Sequence, residues 1–183
     1  MIRTRTDLHE YIKEDNQWYR EKKLKRKVLN VLTCQPYYDI KRYLIYLRKY
    51  EYHYNNAKGN RYHTYMGFYY ERKKNRLGRL LGIEIGPNCF GKGLSIWHYG
   101  TIIVNPEVRA GNYCTLHGNN CLGNNGKSKG TPIIGNYVDI GFGATIIGNI
   151  SVANNTVIGA NSVVNRTITE EDGVYVGSPA HRV

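Results

Sequence analysis

The run IGNYVDIGFGATIIGNISVANNTVIGANSVV, residues 134–164, carries an aliphatic side chain at every sixth position: Ile134, Ile140, Ile146, Val152, Ile158 and Val164. Gly135, Gly141 and Gly159 follow three of these anchors, and small residues recur four places on, at Ala144, Thr156 and Ser162. A helix turning every ~3.6 residues cannot hold every sixth side chain on one face for long, and a plain strand of period ~2 would demand apolar residues between the anchors. A short strand plus a tight turn, repeated every six residues, satisfies both. Three such hexads close one triangular coil of a parallel β-helix.

The same spacing recurs upstream at Phe90, Ile96, Ile102, Val108 and Cys114. It breaks between Asn120 and Ile134, and the polar, glycine-rich residues 123–131 read as a loop thrown out from the coil. These anchors predict about four coils, stacked ~4.8 Å apart.

Composition bounds the rest. The 183 residues suffice for one domain plus an appendage, with 41% hydrophobic content. No apolar run approaches the ~20 residues of a membrane span. Charges interrupt residues 1–14 too often for a secretory signal. The four cysteines, Cys34, Cys89, Cys114 and Cys121, lack metal-ligand spacing, and Cys114, at an inward anchor position, reads as a small buried hydrophobe; no metal site is visible. Together these features predict a cytoplasmic protein.

The net charge of +12 is carried by residues 1–82, with 20 Lys/Arg against 8 Asp/Glu, while residues 83–183 hold 6 of each. The basic part reads as helical. Asp7 with Glu10 suggests a capping box ahead of Leu8, Tyr11 and Ile12. Asp39 suggests a second helix start, with Ile40, Tyr43, Leu44, Leu47, Tyr50 and Tyr54 on one face. Residues 55–60 carry stop signals, and residues 62–81 form a third helical segment mixing aromatics with Arg72, Lys73, Lys74, Arg76 and Arg79. One reading makes residues 1–82 a helical cap on the end of the β-helix with solvated charges. The other makes them a basic surface for an anionic membrane leaflet or a phosphate-bearing substrate, placing the protein at the inner membrane face. No nucleic-acid motif supports nucleic acid as the partner. Residues 169–183 leave the repeat as a tail.

Two histidines lie inside the repeat. His98 follows Ile96 and Trp97 and precedes Gly100, near a coil turn, where its side chain projects outward. An imidazole titrates near neutrality and suits a general base, although a surface or subunit-contact histidine fits the spacing equally well. His117, three residues after the Cys114 anchor, is the second candidate, for acceptor binding.

The segments IEIGPNCFGKGLSIWHYGTIIVN (83–105) and IIGNYVDIGFGATIIGNISVANNTVIGANSVV (133–164), the glycine-rich loop, and the terminal VGSPAHRV (176–183) together resemble the hexapeptide-repeat acyltransferases of the serine-acetyltransferase type. The short front half is more similar to that of capsule and exopolysaccharide acetyltransferases. The resemblance implies a mainly β fold: a left-handed parallel β-helix over residues 83–168 with an N-terminal α-helical segment. It also implies a homotrimer with acetyl-CoA as co-substrate in the groove between neighbours.

Carried over by position, the family's base falls on His98, and its orienting carboxylate falls near Glu84 after a one-residue gap. The coenzyme positions fall on Phe142, Gly143, Ala160, and Gly177, Pro179 and Ala180 of the tail. Arg166 and Arg182 are candidate phosphate contacts. Serine acetyltransferases carry an aspartate before the base histidine and an Arg-His pair after the glycine-rich loop. This chain has Trp97 at the first place and Gly130-Thr131-Pro132 at the second. An ammonium and a carboxylate need paired charges, whereas an indole suits a sugar face. The expectation is therefore acetyl transfer to a hydroxyl of a saccharide or glycan precursor, with Trp97 and His117 binding it. The rivals are serine O-acetylation for cysteine synthesis, N-acetylation of an amino sugar, and a non-catalytic trimeric scaffold.

Overall fold

The computed structural model describes residues 1–19, 24–33, 35–127 and 129–183; Cys34 lies outside them. Residues 83–183 form a left-handed parallel β-helix with three faces. One face stacks Ile83–Ile85, Ile102–Val104, Cys121–Gly123, Thr145–Ile147 and Val163–Val164. The second stacks Ser95–Ile96, Thr115–Leu116, Asp139–Ile140, Val157–Ile158 and Val174–Gly177, with Ala180–Arg182 closing it as an antiparallel hairpin. The third holds Arg109–Ala110, Ile133–Ile134 and Ser151–Val152, extended by single bridges from Phe90 to Ala110 and Val152 to Ile168. The first face has five rungs, so the prism is one coil taller than the anchors suggest.

Every anchor is buried, from Phe90 at 4% exposure to Ile140 at 0%. Their phase nevertheless differs from the expected one. In the ladder, Leu116 stands between Ile96 and Ile140, and Val104 pairs Leu122, which pairs Ile146. Ile102, Val108 and Cys114 therefore sit two residues ahead of the paired residues, in the inward slots that Ala144, Thr156 and Ser162 fill lower down. Each hexad has two inward positions, and both tolerate aliphatics. The register break therefore divides in two: an insertion of two residues between Ile96 and Val104, and a six-residue enlargement between Leu122 and Ile134 that makes the loop.

The turns have their own repeat. Gly93, Tyr113, Tyr137, Asn155 and Asp172 occupy the left-handed region at one corner, and the rings of Tyr113 and Tyr137 stack 5.0 Å apart. Beside them Asn154 Oδ1 accepts from the Asn136 N–H at 2.8 Å, and Asn136 Oδ1 accepts from the Asn112 N–H at 2.8 Å. Such side-chain bonds satisfy turn N–H groups that no strand reaches.

Among the described residues four α-helices precede the coil, α1 Arg5–Asp15, α2 Leu24–Leu32, α3 Pro36–Asn55 and α4 Arg61–Leu81, with a 3-10 turn at Asn16–Tyr19. The first cap is Thr4, not Asp7: Thr4 Oγ1 accepts from the Asp7 N–H, and Asp7 reaches back to the Thr4 N–H. Helix α3 begins at Pro36, three residues before Asp39, because proline suits the first helical turn. Its face of Ile40, Tyr43, Leu44, Leu47 and Tyr50 is buried, while Tyr54 is exposed. The sequence reading had no counterpart of α2.

The helices close the open upper end of the β-helix. The first coil presents unpaired backbone groups, and buried groups of this kind need partners. Ile85 donates to the Tyr43 hydroxyl and accepts from Lys74 Nζ at 2.8 Å. Asn88 N–H donates to Glu51 Oε1. Arg48 donates to the carbonyls of Phe90 and Gly91. Asp15 Oδ1 accepts from the N–H groups of Gly93 and Leu94. Tyr19 completes the row, accepting from the Ile96 N–H at 2.9 Å and donating to the Ile96 carbonyl at 2.6 Å.

Behind this row Arg48 is fully buried, bonded to Asp15 at 2.7 Å and to Glu51 at 2.9 Å. Burial pushes both carboxyls above their ordinary range, and Arg48 offsets part of that. Elsewhere the basic side chains meet their own tyrosines: Lys73 lies over Tyr69 and Tyr46, Lys49 over Tyr70 and Arg42 over Tyr38. These contacts favour the helical cap over the membrane-facing surface. Among the described residues no helix is long and apolar enough to cross a membrane.

Candidate active site

The two-residue insertion falls on the corner that follows Ser95–Ile96, and it carries Trp97, His98, Tyr99 and Gly100. Trp97 and His98 are exposed, as the outward projection at a turn requires. Below them the ladder brings His117 and Gly118 to the same corner, then Gly141 and Phe142, then Gly159 and Ala160, then Val176 and Gly177. A Cβ on Gly118 would stand 3.2 Å from the Phe142 ring and 3.4 Å from His98 Cβ. His98, Gly118 and Phe142 thus form one continuous surface, and glycine at 118 is what lets them meet.

The Trp97 indole lies over the His117 ring, with centroids 4.3 Å apart and planes 32° apart. His117 Nε2 in turn contacts Asp139 Oδ1 at 2.7 Å. An ionised carboxylate only accepts, so Nε2 carries the proton of this bond. Beneath the corner, buried Asn120 accepts from the Gly118 N–H at 3.0 Å and donates to the Gly141 carbonyl at 2.8 Å, tying two coils together.

A cleft of about 530 Å³ opens at His98, walled by Trp97, Ser95 and Ile96 on the coil and by Trp18, Tyr19 and Tyr37 from the helical segment. Burial of the Tyr19 phenol, tempered by its bond to Ile96, pushes its pKa up to about 12, so it stays protonated and keeps its place. An adjoining recess of about 360 Å³ shares Tyr19 and Tyr37 and adds Val28, Val31 and Leu32 of α2.

Not every sequence candidate reaches this corner. Glu84 is exposed on the strand Ile83–Ile85, in register with Ile103, beside Asn75, Arg79 and Thr101, and no hydrogen bond among the described residues joins it to His98. Gly143 follows Phe142 with φ +73°, bonded to the Gly118 carbonyl. Gly177 donates to Ser162 Oγ, and Pro179 and Ala180 turn the closing hairpin. Arg166 is exposed two residues beyond Val164, at the next corner of the prism. Arg182 pairs with Glu170. Cys114 is buried, which pushes its thiol up to about 11, as befits a core side chain. The sequence reading missed Asp139, Tyr19, Trp18, Tyr37 and Asn120. Only Asp139 left a trace, as the one acid within the hexads of residues 134–164.

An exposed imidazole beside an aromatic cleft, with a strip of small residues descending the same edge, suits proton removal next to an extended ligand. No family model matches the chain. It is 38% identical over 112 residues to a serine acetyltransferase from Synechococcus elongatus, covering 59% of this chain and 46% of that protein. Curated staphylococcal relatives carry the same name. The chain spans about half the length of the curated relatives it matches. Among solved structures it is similar to soybean serine acetyltransferase, with a TM-score of 0.73 and 25% identity over 97% of this chain and 69% of that one. A serine acetyltransferase in complex with CoA gives 0.61 and 26%, over 76% and 56%.

These relatives overturn the saccharide reading, since each is a serine acetyltransferase. That reading rested on charges missing from two sequence positions. The fold sets His117 against Trp97 and Asp139 against His117, and linear order concealed the second of these contacts.

Proposed function

We propose that this chain, a hexapeptide-repeat protein of the serine-acetyltransferase type, transfers the acetyl group of acetyl-CoA to the hydroxyl of serine. The observation that supports the reading is the exposed His98 on the corner shared with Gly118 and Phe142, in a segment that resembles the one carrying the family's base histidine. The His98 imidazole takes the proton of the serine hydroxyl as that oxygen attacks the thioester carbonyl. Backbone N–H groups along the edge stabilise the tetrahedral oxyanion. The C–S bond then breaks, and the imidazolium returns its proton to the departing thiolate, giving O-acetylserine and CoA. No covalent enzyme intermediate is needed when both substrates are bound together.

Acetyl-CoA in this reading lies along the descending edge, where Gly143, Ala160, Gly177, Pro179 and Ala180 leave room for a chain against the backbone. Phe142 narrows that strip and offers a ring to the pantetheine arm. Glu84 and Arg166 would contribute only from a neighbouring copy or after rearrangement. The assembly in this reading is a homotrimer, acting in the cytoplasm.

The test is release of CoA thiol from acetyl-CoA with serine as acceptor, comparing wild type with His98→Ala. Serine-dependent release that falls by roughly 10²–10⁴-fold in the variant is the expected result, the range for loss of a general base. Absence of serine-dependent release, with no acetyl-CoA binding by calorimetry, would sink the reading.

A further inference from the structure

We infer that Asp139 and His117 are positioning residues for the reacting corner, acting on His98 through the indole of Trp97. The inference rests on the reading of His98 as the base.

The corner is tied at both ends, by Tyr19 on Ile96 and by the Gly100 N–H on the Leu81 carbonyl at 2.9 Å and the Thr101 N–H on Asn119 Oδ1 at 2.9 Å, but the His98 ring between them is not. The corner is two residues longer than its counterparts, it ends in Gly100 at φ +134°, and His98 makes no hydrogen bond among the described residues. A general base needs its ring held within hydrogen-bond reach of the acceptor proton, and this ring lacks the orienting partner that such bases have. Next to His98 within the corner, the side chain that is held is that of Trp97. The Trp97 N–H donates to the Leu116 carbonyl at 2.9 Å, and the Trp97 side chain, though 54% exposed, rests at a tilt against His117. His117 is itself fixed, because its Nε2–H donates to Asp139 on the next coil at 2.7 Å. Three rungs of one face thus end in a stack, carboxylate to imidazole to indole, whose last member is covalently next to His98.

The pair does more than fill space. A bond to an ionised carboxylate is roughly twice as strong as one between neutral groups, and it fixes the plane of the His117 ring on which the indole lies. Asparagine at 139 keeps the size but removes the charge from that bond. The imidazole then turns more freely, the indole is released to swing, and the first loss is in the chemical step rather than in coenzyme binding, since among the described residues no hydrogen bond or ring contact joins the pair to Phe142, Gly143 or Ala160.

The experiment uses the full chain in a Trp18→Phe background, where Trp97 is the sole remaining indole of the two. Asp139→Asn is expected to lower kcat for serine acetylation by about tenfold or more, with KM for acetyl-CoA unchanged within about twofold. The Trp97 emission should brighten and lose anisotropy, since the indole is no longer pinned against a fixed imidazole. Asp139→Glu should restore part of both. The inference is overturned if Asp139→Asn leaves Trp97 emission and anisotropy unchanged, or changes them while kcat stays within about twofold. A failure of the serine reading would show separately, as absence of turnover in the wild type, and the fluorescence comparison would still decide whether the stack is held by Asp139.

Discussion

His53 shows how a single side chain sets the response of the helical segment to acid. Its Nδ1 meets His63 Nδ1 at 2.9 Å, so one nitrogen donates and the other accepts, and the two rings cannot both be fully protonated there. Burial, then the nearby His63 and Lys49, holds its pKa below the ordinary 6.5. The unfolded chain takes up a proton near 6.5 while the folded one resists it. This contribution to stability is therefore present above about pH 6.5 and is lost as the pH falls toward the lowered folded value. Urea midpoints for wild type and His53→Gln, measured at pH 7.5 and 5.5, should diverge at the higher pH and converge at the lower. Parallel shifts at both would refute the assignment. Nothing in the linear sequence marks this pair, because ten residues and a helix turn-around separate its members.

Among the elements, α3 does the most joining. Its Arg48 reaches α1 through Asp15, its own next turn through Glu51, and the first coil through two carbonyls. Removing the guanidinium leaves two carboxyls facing each other out of water and two backbone acceptors unpaired. Arg48→Met is expected to cost ~3–5 kcal/mol, a fall in Tm of roughly 10 °C by calorimetry. Adding Asp15→Asn and Glu51→Gln should recover part of it, since a neutral set no longer strands a charge. The prism was legible in the sequence because its strands differ by a constant spacing that any reader can count. The cap was legible only as helix. A buried arginine looks like any other charge in a basic run, and its partners other than Glu51 stand 33 to 43 residues away. The stack at the corner was half legible: Trp97 and His117 stood out, but Asp139 lies 22 residues from His117, beyond the loop thrown out from the coil.

For the whole molecule, the outward faces of the prism raise the matter of assembly. Ile103, Ile133 and Val157 leave apolar side chains on three different faces, at 46%, 61% and 38% exposure. A neutral prism with apolar faces packs side by side more readily than the basic segment above it, which repels its copies. The proposed trimer should elute with a mass three times the 21.0 kDa of one chain in light scattering, independent of concentration over the micromolar range. A concentration-independent mass of one chain would refute it.

The lengthened corner also says something about how such a fold can change. Within each hexad, inward positions come two apart, so a gain of two residues exchanges one inward slot for the other and the core scarcely registers it. A change of one would turn every later side chain inside out unless the turn absorbs it, as the turn between Ile85 and Phe90 does, with five residues against six from Val104 to Ala110. Evolution can therefore tinker with this corner in even steps at little risk, while an odd step has to be taken up by the turn itself. The fold behaves like a code with a parity check: the reacting edge is the place where it admits new text without corrupting the coils downstream.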